Sequence, residues 1–183
     1  MPLEKLKEVP LELWLGTLGY SRNGVCFYMS EYVEKTTWAA GSYADAKNAA
    51  SAAVPSTIMK SGKAKNLGDR KRTKWLHEAG QYRMQAALVA NSIYRIGLWF
   101  GAAGQAPPED ADPLVGRVHA ATVATGAAGT LLFFEPNFGL YEATDAAATH
   151  KALLEQSIDG LYGAGGSCAR NFVYLKGRAL KTT

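Results

Sequence analysis

Two β-branched and aromatic runs, Val115–Thr125 and Thr130–Phe134, flank Gly126-Ala-Ala-Gly129 and read as a β-hairpin. Before this hairpin the regular segments carry a helical period, with the basic connector Lys60–Lys74 and the loop Gly101–Pro113 between them. Gly24–Trp38 follows the turn and cap formers Ser21, Arg22, Asn23 and Gly24, and Val25, Met29, Tyr32 and Val33 form one apolar face. A second helix is predicted over Ala44–Val54, ending before Pro55, and a third and longest over Thr73–Trp99, its stripe running from Leu76 to Ile93, Ile96 and Leu98. After the hairpin, Thr144–Leu161 returns to helix, with Asp145 as its cap and Ala148, Leu153, Leu154 and Ile158 inward, and Asn171–Lys176 is a last strand. Helices first and sheet later define an α+β domain. With 183 residues the chain fits a single domain spanning 1–183, with a frame of about 20–180 and an N-terminal extension over 1–19.

Composition narrows the function classes. Two cysteines make no disulfide framework, and no Cys/His cluster has structural-zinc spacing, so neither a metal nor another cofactor is expected. The formal charge of +4 is concentrated in the connector Lys60–Lys74, which reads as a solvated loop. A nucleic-acid partner would call for a denser basic face with interleaved aromatics, and a membrane surface is not favoured. The run Ala86–Gly104 is interrupted by Asn91, Ser92 and Arg95 and is too polar to span a bilayer. The first residues alternate charge with leucine and lack the apolar core of a signal peptide. Export, if it occurs, is expected without a cleavable signal or as a piece of a larger protein.

The residues that suggest chemistry lie in three places. Cys26 falls in the first turn of a helix, where unsatisfied N–H groups favour a thiolate. His119 opens the first hairpin strand, and Glu135, Pro136 and Asn137 close the second. A turn centred on Gly126–Gly129 brings His119 opposite the Glu135–Asn137 region, where an acid or an amide can fix the imidazole tautomer. A helix-borne cysteine facing a sheet-borne histidine and its orienter is the papain-like arrangement. Cys168, His77 and His150 acquire no such partners: Cys168 reads as inert, and the two histidines as residues of solvated faces. Phe133, Phe134 and Phe138 read as core, and Pro136–Gly139 as a turn with Gly139 at an unusual backbone angle.

With GVC at Gly24–Cys26, VHAATV at Val118–Val123 and FFEPNFGLYEA at Phe133–Ala143, the chain resembles the YopT-type cysteine proteases, injected bacterial virulence factors. The resemblance covers about Tyr20 to Ala143. It implies a papain-like fold, with Cys26 as nucleophile, His119 as general base and acid, and Glu135 as orienting acid. The family carries aspartate where this chain has Glu135; Asn137 is the other residue able to orient the imidazole. The Cys26 backbone N–H is the natural first oxyanion donor, with Asn23 or Ser21 as candidates for a second. The resemblance further implies a toxin or effector delivered into a target cell, cutting a protein substrate there, with an immunity protein or secretion chaperone as further partners. The same frame also supports deamidation, transglutamination or cell-wall amide hydrolysis, and an inactive interaction domain is the reading from a different class.

Overall fold

The computed structural model describes residues 3–9, 25–57, 88–100, 118–163, 168–174 and 178–180. The strands and helices in chain order are β1 (Leu3–Glu8), α1 (Val25–Ala40), α2 (Tyr43–Ala53), β2 (Ser92–Phe100), β3 (Val118–Thr125), β4 (Thr130–Glu135), β5 (Gly139–Thr144), α3 (His150–Tyr162), β6 (Cys168–Tyr174) and β7 (Arg178–Ala179). The strands form one seven-stranded antiparallel sheet in the order β1-β5-β4-β3-β2-β6, with β7 also pairing β2. This is the expected α+β class. The N-terminal segment, expected as an extension, contributes β1 at the edge beside β5.

Helices cover both faces of the sheet. On one, Met29 and Val33 of α1 and Ala50 of α2 pack on Phe134 and Leu140. On the other, Leu153, Leu154 and Ile158 of α3 pack on Ile96, Leu98, Val123, Leu131 and Phe133. The strict alternation Phe133/Phe134 thus feeds two separate cores, because successive strand side chains leave opposite faces. Helix α1 is buried on most of its circumference, Lys35 and Ala39 being its exposed positions among those described. Its buried acids are paired: Arg95 Nε of β2 donates to Glu34 Oε2 at 2.6 Å, Arg95 Nη2 lies 4.0 Å from Glu31, and the guanidinium stacks 4.9 Å from the Phe27 ring.

One helix prediction is overturned. Residues 92–99, expected as the end of a helix over Thr73–Trp99, lie in the central strand β2; residues 73–87 lie outside the described set. Asn91 adopts φ 51, a left-handed turn that admits the chain to the sheet. Ile93, Tyr94, Ile96 and Leu98 are all buried, since β2 is covered on both faces. Such a strand is an almost unbroken apolar run, and periodicity alone cannot separate it from a buried helix. The C-terminal helix also starts later than expected. Gly139–Thr144 is strand β5, and Thr149, not Asp145, caps α3 by accepting the Ala152 N–H at 3.2 Å. His150, expected on a solvated face, is buried with its Nε2 3.1 Å from the Ala127 carbonyl in the hairpin turn. The expected loop Gly101–Pro113, the connector Lys60–Lys74 and His77 lie outside the described residues.

Candidate active site

The hairpin forms as expected, with Thr122 facing Phe134 and Val123 facing Phe133. Continuing that register sets Glu135 opposite Ala121, which makes His119 its diagonal neighbour on the same pleat face. Diagonal partners are within reach of long side chains. His119 Nε2 and Glu135 Oε1 are in direct contact, both side chains buried. The second Glu135 oxygen, Oε2, accepts the Asn137 backbone N–H at 2.6 Å. Both carboxylate oxygens are therefore engaged, in a site that is 0% exposed at Glu135. Asn137 itself is exposed and enters through its main chain, so Glu135 is the group that faces the imidazole.

The turn carrying Glu135 is shaped by its neighbours. Phe138 N–H donates to the Glu135 carbonyl at 3.0 Å, and Gly139 follows with φ 134. A Cβ at Gly139 would lie 2.1 Å from the Lys7 carbonyl of β1. Only glycine permits both the backbone angle and the close passage of the edge strand. This is why a glycine must close FFEPNFG, and it gives β1 a direct bearing on the acid.

Cys26 is the second residue of α1, and it is half-buried. Its backbone N–H belongs to the first turn and has no partner within the helix. The thiol is hydrogen-bonded to His119, and the Ala120 N–H donates to its sulfur. With Nε2 turned to Glu135, Nδ1 is the ring nitrogen left for the thiol. Burial pushes the Cys26 thiol up. The adjacent His119, by charge and hydrogen bond, and the Ala120 N–H outweigh this and hold it below the ordinary cysteine value, against the opposing charge of Glu135. At His119 burial works against the imidazolium, yet the charges of Glu135 and Cys26 and their hydrogen bonds push the ring up to about 10. The two shifts run together: each favours a thiolate at Cys26 beside an imidazolium at His119.

Cys26 of α1 thus meets His119 and Glu135, which lie on the two strands of one hairpin far along the chain. Asn23 and Ser21 lie outside the described residues, and Cys168 opens β6 opposite Phe100 with its side chain outside them too. Two residues at this junction were not singled out from the sequence. Ser30 Oγ donates to the Ala120 carbonyl at 2.9 Å, and Thr122 Oγ1 donates to the Ser30 carbonyl at 2.8 Å. Among the described residues, no group of three or more His, Cys, Asp or Glu is placed to hold a metal ion. No described helix is long and apolar enough to cross a membrane.

No family model matches the chain, and no curated protein matches it. Among solved structures, the crystal structure of the Pseudomonas avirulence protein AvrPphB is similar over 85% of this chain and 93% of that chain, at 13% identity and a TM-score of 0.35. A likeness at that score is too low to establish a common fold.

Proposed function

We propose that the chain is a papain-like cysteine hydrolase acting as a peptidase. The observation that carries this reading is the continuous contact from Cys26 through His119 to Glu135, with a thiol held low and an imidazole held high. Thiolate Cys26 attacks a peptide carbonyl carbon, forming a carbon–sulfur bond as the carbonyl electrons move onto oxygen. The Cys26 backbone N–H donates to that oxyanion. His119 delivers its Nδ1 proton to the leaving amine as the carbon–nitrogen bond breaks. Water then attacks the acyl-enzyme, giving a proton to His119 while Cys26 departs as thiolate. Glu135 keeps the imidazole oriented and favours its charged form throughout, and the Asn137 N–H holds Glu135 in place.

The motifs that resemble the YopT-type proteases supply the biological setting of the proposal: delivery into a target cell, and a specific protein substrate there. Profiling of new protein N-termini in cells expressing the wild-type chain against Cys26→Ala tests the reading. It predicts at least one cut site that depends on Cys26. Substrates modified without being cut would move the same site to deamidation or transfer chemistry. A proteome identical in both samples, with Cys26 also inert to alkylating reagents, would place the chain among interaction domains.

A further inference from the structure

We infer that Ser30 and Thr122 are positioning residues that set the contact between Cys26 and His119, an inference that rests on the hydrolase reading above. The two hydrogen bonds run in opposite senses. A helix side chain reaches strand backbone, Ser30 Oγ to Ala120 O at 2.9 Å, and a strand side chain reaches helix backbone, Thr122 Oγ1 to Ser30 O at 2.8 Å. Both residues are buried, Ser30 at 0% and Thr122 at 3% exposure. Ser30 lies four residues beyond Cys26, on the same face of α1. Ala120 is the residue after His119, and its N–H meets the Cys26 sulfur. The pair therefore joins the one helical turn and the one strand segment whose spacing decides whether thiol and imidazole touch.

Apolar packing alone would leave that spacing loose. Met29 and Val33 hold α1 to the sheet, but burial is non-directional and tolerates small slides. A hydrogen bond weakens steeply once its angle is lost, so two crossed bonds resist both translation and rotation of α1 on β3. A serine within a helix commonly bonds the carbonyl one turn back, here that of Cys26. Ser30 bonds across to the strand, a choice that helix stability alone does not explain. Site geometry of this kind has to be held to about 0.5 Å.

The test is the pH dependence of Cys26 alkylation by iodoacetamide in the full chain, read at Cys26 by peptide mass mapping, with circular dichroism as the check of folding. Thr122→Val keeps the shape and removes the hydroxyl. It is expected to raise the inflection by about one unit, a tenfold loss of alkylation on the acid side. Ser30→Ala moves the profile the same way, and Thr122→Ser restores the wild-type profile. Folded Thr122→Val and Ser30→Ala chains with wild-type profiles would overturn the inference, as would a Thr122→Ser profile displaced as far as that of the valine variant. If one variant unfolds, the other decides. If both unfold, the hydroxyls serve the fold as a whole and the inference fails. The hydrolase reading fails separately, by a wild-type profile that is ordinary for cysteine and indifferent to His119→Ala.

Discussion

Glu135 shows how one side chain is matched to its place in a register. It reaches His119 along a diagonal, and its length spans a separation that the shorter aspartate side chain would have to cover by backbone movement. Glu135→Asp is therefore expected to slow Cys26 alkylation at pH 6, with a loss on the order of tenfold, inside the 100-fold that a 1 Å misplacement can cost. Glu135→Gln keeps the length and removes the charge that lifts His119, so it should cost more alkylation at that pH. The three candidate chemistry-bearing residues were legible because a helix start, a hairpin centre and an acid-bearing turn fix where they fall. Ser30 and Thr122 were not legible. A serine inside a helix and a threonine inside a strand are ordinary, and only the packing of α1 on β3 brings them together. The part played by Asn137 was half legible, since its position was found but its backbone N–H, not its side chain, meets the carboxylate.

Among the elements, β1 and β2 carry what sequence periodicity could not. β2 is covered on both faces and so reads as helix until its partners are known. β1 alternates too many charges to look like sheet, yet it runs along β5 and passes the acid turn at Gly139. Gly139→Ala places a methyl group against Lys7 and at a backbone angle that alanine rarely adopts. It should destabilise the fold by about 1–3 kcal/mol in urea unfolding and weaken the docking of β1. Hydrogen exchange in residues 3–8 would report that loss directly, and unchanged protection would show that the strand does not depend on the glycine. Beside α1, the half-buried Arg95 faces Glu34 and stacks on Phe27, the residue after Cys26. Arg95→Ala takes the cation from the buried Glu34 carboxylate, while Glu31 keeps Lys35 at 3.1 Å, and is expected to cost about 3 kcal/mol in the same assay.

For the whole molecule, the Cys26–His119 pair makes stability depend on pH. His119 is raised in the fold to about 10, so its contribution is complete below its unfolded value of 6.5 and is lost as pH rises toward 10. Cys26 is lowered, so its contribution is complete above the ordinary cysteine value and is lost as pH falls through the depressed one. The advantage of wild type over His119→Ala in urea midpoint should accordingly shrink between pH 6.5 and 10. A constant difference across that range would mean that the imidazole is not held charged. The α+β order of helices first and sheet later, inferred from the change of hydrophobic period, sets up this site by laying the start of α1 where the hairpin strands end. The central claim is that Cys26 and His119 ionise as one pair, and the alkylation profile of Cys26 in wild type against His119→Ala tests it most directly. The wild-type inflection should lie below the ordinary cysteine value. In His119→Ala it should rise, because burial and the Glu135 charge are then opposed by the Ala120 N–H alone. Coincident profiles in the two folded proteins would contradict the account.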